Sequence, residues 1–71
     1  MEIKAHITGT VWKIEVGPGD EVEEGDVVMI LESMKMEMPV EAEFEGTITE
    51  ILVKEGEPVK EGQPVALMDE A

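Results

Sequence analysis

The chain has 71 residues and no cysteine. This length allows one small domain with a thin core, so we expect residues 1–71 to form a single domain without a deep substrate cleft. The lack of cysteine excludes a disulfide scaffold, a thiolate zinc site and a thiol nucleophile. A single histidine, His6, is too few for a multi-histidine metal site. We therefore expect no catalytic and no metal-binding residues.

The net charge is −13, from 18 acidic and five basic residues. This charge opposes binding to nucleic acid and to anionic membranes, because both depend on lysine and arginine. The longest apolar run, Val27–Leu31, is far too short to span a bilayer. The N-terminus has no apolar stretch of signal-peptide length. The default expectation is an intracellular, cytoplasmic protein.

The strongest pattern is an internal repeat with an offset of 37 residues. Residues 9–33 align with residues 46–70 without a gap, and nine of the 25 pairs are identical. The matching positions are mainly glycines and apolar residues, which determine the backbone conformation. Two copies are too few for a solenoid, so we expect two pseudo-two-fold-related halves in one domain.

Each half has the pattern of short β-strands separated by tight turns. Residues 10–16 and 47–53 are rich in β-branched residues. The apolar positions Val11, Ile14 and Val16 are three and then two residues apart, and the second half repeats this spacing, which predicts a β-bulge in each half. The segments between glycines and prolines are too short for average helices. The pattern predicts an all-β fold, a flattened β-barrel or sandwich of about eight short strands.

Apolar alternation predicts the core positions in the closing strand of each half. Four residues are expected to face inward: Val28, Ile30, Val65 and Leu67. Phe44, beside the start of the second repeat, is also expected in the core. Three prolines lack an amide donor and are expected at strand starts, edges or bulges: Pro39, Pro58 and Pro64.

A tight hairpin is predicted between the two repeats. Strands are expected over residues 27–32 and 36–42, which leaves Ser33 to Met36 as the turn and places Lys35 at or beside its tip. The repeat offset of 37 relates position 35 to a position one beyond the C-terminus. The hairpin in the first half therefore corresponds to the chain ends in the second half. Lys35 is therefore expected to project alone from one end of the molecule. An isolated Met-Lys-Met tripeptide would instead favour two core methionines with an outward lysine between them.

The segment Glu32-Ser33-Met34-Lys35-Met36, placed between the two repeats, resembles the biotinyl domain of biotin carboxyl carrier proteins. That domain belongs to the wider biotinyl/lipoyl attachment family, and the resemblance covers nearly the whole chain, residues 5–68. In the family, a lysine flanked by methionines is the site of biotin attachment. The matching residue is Lys35, with Met34 and Met36 as flanking recognition residues. Related lipoyl domains usually have an acidic residue before the lysine and a small residue after it, so these methionines favour biotin over lipoate.

The resemblance implies a carrier that is modified by an enzyme and is not itself a catalyst. A biotin protein ligase would attach biotin to Lys35. The biotin would then act as a swinging arm that carries a carboxyl group between a biotin carboxylase and a carboxyltransferase. Such tethering makes the second encounter intramolecular. The isolated domain is expected to be a monomer.

Two alternatives remain open. One is a lipoyl carrier for acyl or one-carbon transfer, and the other is an unmodified interaction module of the same fold. The chain also departs from the family pattern at two places. Members commonly have alanine where this chain has Ser33, and many have a proline-rich segment where this chain has residues 6–8, so the entry to the first long strand is expected to differ.

Overall fold

A computed structural model describes all 71 residues and contains eight β-strands. In chain order these are β1 (Glu2–Lys4), β2 (Gly9–Ile14), β3 (Glu21–Val22), β4 (Val27–Ser33), β5 (Met36–Glu41), β6 (Gly46–Ile51), β7 (Pro58–Val59) and β8 (Pro64–Glu70). They form two antiparallel four-stranded sheets, in the orders β1-β8-β6-β3 and β5-β4-β2-β7. The chain has no helix long and apolar enough to cross a membrane. The predicted all-β sandwich or flattened barrel is confirmed.

The two sheets follow the sequence repeat. Adding 37 to the bounds of β2, β3 and β4 gives the bounds of β6, β7 and β8. Each sheet also takes one short strand from the other half, because β3 pairs with β6 and β7 pairs with β2. The halves are therefore interleaved, and neither half has a complete sheet without the other.

Four β-bulges interrupt the strand pairing, and they too are related by the repeat. Trp12 and Thr49 are the extra residues where β2 pairs with β4 and where β6 pairs with β8. These two bulges confirm the prediction from apolar spacing. Val28 and Val65 are the extra residues where β4 pairs with β5 and where β8 pairs with β1. No sequence pattern indicates this second pair.

The second pair of bulges overturns part of the predicted core. Val28 and Val65 are fully buried, as expected. Because each is an extra residue, the next residue along the strand is buried as well, and the inward–outward alternation reverses beyond it. Leu31 and Met68 consequently face the core, whereas Ile30 and Leu67 are half-buried and lie outside it. The inward assignment of Ile30 and Leu67 was wrong.

The core is one cluster of 15 buried hydrophobic residues, against which Ile14, Val16 and Ile51 pack while partly buried. Phe44 is 41% exposed, so its predicted core position is wrong. It lies in the connection between β5 and β6, outside both sheets, and lines a small surface cavity beside Met1 and Met68. The three prolines match their prediction, since two begin strands and the third lies in an edge strand.

Candidate functional site

The junction of the two repeats is a two-residue hairpin turn. Ser33 pairs with Met36 at the ends of β4 and β5, which leaves Met34 and Lys35 as the turn residues. Their φ angles are +52° for Met34 and +65° for Lys35. Positive φ at both central positions is the conformation of type I′ turns, which match the twist of the flanking strands. The predicted hairpin with Lys35 at its tip is confirmed.

This turn is strained for its sequence. Type I′ turns favour Asn-Gly and similar pairs, because those residues tolerate the left-handed region. An ordinary L-residue there costs about 1–2 kcal/mol. Met34 and Lys35 are the only residues other than glycine with positive φ in the chain. Backbone strain of this kind concentrates at functional positions, so the turn is a candidate site on backbone geometry alone.

The side chains of the turn extend into solvent. Met34 is 92% exposed and Met36 is 63% exposed, and Lys35 is exposed between them. Met29 and Met68, by contrast, are fully buried core residues. The alternative that Met34 and Met36 are core methionines is therefore wrong for this hairpin.

The amine of Lys35 has no carboxylate partner. Only two lysines lie within 4 Å of a carboxylate oxygen: Lys4 near Glu2, at 4.0 Å, and Lys13 near Glu15, at 3.4 Å. Lys54 and Lys60 are also unpaired, but they occupy two glycine-containing turns of the second repeat rather than the tip of the hairpin. The absence of a partner leaves the Lys35 Nζ atom available for covalent attachment.

Strand β2 supports the base of the hairpin through Gly9. A Cβ atom on Gly9 would lie 2.5 Å from the carbonyl oxygen of Glu32 and 3.3 Å from the Cβ atom of Ser33. Only glycine therefore allows β2 to pass this close to the end of β4. The sequence marked Gly9 only as a repeated position. Its repeat partner Gly46 has the same relation to the carbonyl oxygen of Asp69, near the chain ends.

The surroundings of Lys35 are acidic and open to solvent. Glu32 lies directly opposite Glu37 in the β4–β5 pair, an arrangement of like charges that costs stability. Three surface cavities are lined by residues outside the hairpin segment 32–38. No cluster of side chains has the geometry to hold a metal ion. The hairpin thus presents a reactive group to solvent but does not enclose a ligand.

Comparison with known proteins identifies the family. The family model described as "Biotin-requiring enzyme", which covers biotin/lipoyl attachment domains, matches residues 1–68. This chain belongs to the biotin/lipoyl attachment family. As a member, it is a carrier domain rather than a catalytic enzyme, and the cofactors of the family are biotin and lipoate.

Two relatives of similar size support the assignment. The biotin/lipoyl attachment protein of Bacillus subtilis is 46% identical over 43 residues, which are 61% of this chain and 59% of that protein. Biotinylated protein TB7.3 of Mycobacterium tuberculosis is 49% identical over 39 residues, 55% of each chain. The chain thus spans less than two thirds of the length of these curated relatives.

Two solved structures show the same fold. The urea carboxylase of Kluyveromyces lactis matches with a TM-score of 0.91 and 40% identity, over 97% of this chain and 6% of that one. The lipoyl domain of the 2-oxoglutarate dehydrogenase complex of Azotobacter vinelandii matches with a TM-score of 0.74 and 33% identity, over 89% of this chain and 80% of that one. The structural neighbours thus include part of a carboxylase and a lipoyl domain.

Proposed function

We propose that this protein is a covalent biotin carrier and that Lys35 is the attachment site, flanked by the recognition residues Met34 and Met36. The observation that carries the proposal is the type I′ turn, which holds Met34 and Lys35 at positive φ without glycine. Lys35 is exposed and unpaired there, between two exposed methionines. No other lysine of the chain lies at a hairpin tip.

The residues around Lys35 fit the role of substrate for a ligase. Attachment forms an amide bond between the Lys35 Nζ atom and the carbonyl carbon of biotin that the ligase has activated as its adenylate. The bond from that carbon to the phosphate oxygen breaks, AMP leaves, and the amine must lose a proton. An ordinary lysine amine is almost fully protonated at neutral pH. No carboxylate oxygen lies within 4 Å of Nζ to accept that proton. A biotin protein ligase must therefore supply the base.

The partners proposed are a biotin carboxylase and a carboxyltransferase, as separate subunits or as domains. Attached biotin supplies a group that accepts and donates a carboxyl group. The chain supplies a compact support and a long lysine side chain, which together keep the cofactor at high effective concentration near both partners. Similarity to a urea carboxylase, in which the matching domain occupies 6% of the chain, favours this class of system.

In vitro labelling tests the site. The protein is incubated with a biotin protein ligase, ATP and biotin, and the adduct is located by peptide mass. We expect one biotinyl group on Lys35 and none in the Lys35→Arg variant. Lys54→Arg and Lys60→Arg are matched controls, since both remove an unpaired turn lysine, and they should label normally. Labelling of another lysine, or normal labelling of Lys35→Arg, would overturn the proposal.

Lipoate is the second candidate cofactor, and the similarity to the Azotobacter vinelandii lipoyl domain favours testing it. The double variant Met34→Asp/Met36→Ala gives Lys35 the flanks of a lipoyl domain. We expect biotinylation to fall markedly. The carboxylate introduced by Met34→Asp would lose its water when it contacts a ligase surface that fits the apolar thioether of methionine. The melting temperature should not fall, because both side chains are exposed and aspartate tolerates the left-handed conformation at position 34. Biotinylation at the parental rate would show that the methionines do not select the cofactor.

A further inference from the structure

The six methionines of the chain differ widely in exposure. Met29 and Met68 are 0% and 1% exposed, and Met38 is half-buried. Met34 and Met36 are 92% and 63% exposed, whereas Met1, at the N-terminus, is 50% exposed. The two methionines most exposed to solvent therefore flank the same lysine.

Exposure governs the reaction of methionine with peroxides. The thioether sulfur attacks one peroxide oxygen, an S–O bond forms and the O–O bond breaks. With hydrogen peroxide the second oxygen leaves as water, so the sulfur loses two electrons and the peroxide gains them. The product is methionine sulfoxide, which is polar and which methionine sulfoxide reductases convert back. Met34 and Met36 should react well before the buried Met29 and Met68.

We propose that Met34 and Met36 form a reversible oxidation site that controls cofactor loading on Lys35. The proposal rests on the proposed function, in which a ligase docks on these two side chains. A sulfoxide replaces an apolar contact with a strongly polar group that must be desolvated on docking, which should slow loading about tenfold or more. The fold should not respond, because neither side chain belongs to the core cluster.

The location of Met34 and Met36 on the surface allows them to be oxidised without damage to the fold. Oxidation of Met29 or Met68 would place a polar group in the core and destabilise the domain. Oxidation of Met34 and Met36 changes only the surface around Lys35. A moderate peroxide dose therefore yields a folded carrier that is loaded slowly, and reduction restores it.

The test treats the protein with increasing doses of hydrogen peroxide and maps the sulfoxides by peptide mass. Loading by a biotin protein ligase and the melting temperature are measured on the same samples. We expect sulfoxide at Met34 and Met36 before Met29 and Met68, loading slowed about tenfold or more, and an unchanged melting temperature. Methionine sulfoxide reductases should restore loading. The double variant Met34→Leu/Met36→Leu, which conserves volume and has no sulfur atom beside Lys35, should load at the same rate before and after treatment.

Three results would overturn the proposal. Equal oxidation of buried and exposed methionines would show that the hairpin methionines are not oxidised selectively. Loading of the oxidised protein at the untreated rate would show that oxidation of the hairpin does not regulate cofactor attachment. Slow loading that the reductases do not reverse would indicate damage elsewhere. The untreated protein is assayed first, because failure of untreated protein to load at Lys35 defeats the proposed function itself. Normal loading before treatment and after it defeats only the oxidation proposal.

Discussion

Two kinds of tight turn occur in this chain, and they are built differently. Four turns inside the repeats place a glycine at φ between +87° and +92°: Gly19, Gly25, Gly56 and Gly62. Each turn is closed by a backbone hydrogen bond and by a second bond, in which a side chain accepts a hydrogen bond from the backbone N–H three residues earlier. In the first of these turns, the Gly17 N–H donates to Asp20 Oδ2 at 2.8 Å. The hairpin turn has Met34 and Lys35 at positive φ and no side-chain hydrogen bond.

The four glycine turns serve the fold, whereas the hairpin turn is the one that we propose serves function. In the glycine turns, residue type and conformation agree, so these turns stabilise the two sheets. In the hairpin they conflict, because methionine and lysine are poor residues for the left-handed region. A residue pair that stability would not select indicates another constraint, and the proposed constraint is the presentation of Lys35.

The largest expected difference comes from adding a side chain to a glycine turn. Gly56→Ala should lower the free energy of unfolding by about 1–2 kcal/mol, because alanine is strained at this φ. A Cβ atom at Gly56 would meet nothing within 4 Å, so the loss reports backbone strain rather than a clash. Denaturant unfolding measures it. The control is Lys35→Ala, an exposed exchange at a position that is already strained, which should change stability by less than about 0.5 kcal/mol. Similar losses in both variants would contradict the distinction between the turns.

Relief of the hairpin strain should have a smaller effect, of the opposite sign. Met34→Asn combined with Lys35→Gly supplies the pair that type I′ turns favour and should stabilise the domain by about 1 kcal/mol. The gain is less than the full strain energy because glycine also raises the entropy of the unfolded chain. Thermal unfolding is the measurement. Lys60→Gly, at an exposed turn position with ordinary φ, is the control and should not stabilise. A double variant no more stable than the parent would show that the hairpin is unstrained.

The smallest effect is expected at the side chains that close the glycine turns. Asp20→Ala removes the acceptor of the Gly17 N–H and should cost about 0.5 kcal/mol, because the bond is exposed to water. Glu57→Ala removes the repeat-related acceptor of the Lys54 N–H, at 3.1 Å, and should cost about the same. Chemical unfolding of the two variants side by side checks this. Clearly unequal losses would show that the two halves are not energetically equivalent.

Repetition makes much of the fold predictable. Glycines and apolar residues that recur at an offset of 37 locate the turns, the long strands and the first pair of bulges. The hairpin follows from its position between the copies. Lys35, Met34 and Met36 are predicted together, and the structure places Met34 and Lys35 in one exposed turn and Met36 at the exposed start of β5.

Other features have no local signal. The bulges at Val28 and Val65 lie inside apolar runs without glycine, so the reversal that turns Ile30 and Leu67 outward is not visible in the sequence. The left-handed conformation of Met34 and Lys35 contradicts their own preferences and is imposed by the two strands that they join. The cytoplasmic location stays a prediction, because it depends on the cell rather than on this fold. The monomeric state and the single-domain extent also stay predictions.

Attachment of biotin to Lys35 is tested by the intact mass of the protein isolated from its native host, with the Lys35→Arg variant expressed in the same host. We expect the mass of a single biotinyl group on the parent protein and the unmodified mass for the variant. Peptide mass then places the group on Lys35. Three results would show that Lys35 is not the biotin attachment site of a biotin carrier: a lipoyl mass on the parent, an unmodified parent from cells with an active biotin ligase, or a biotinyl group retained by Lys35→Arg.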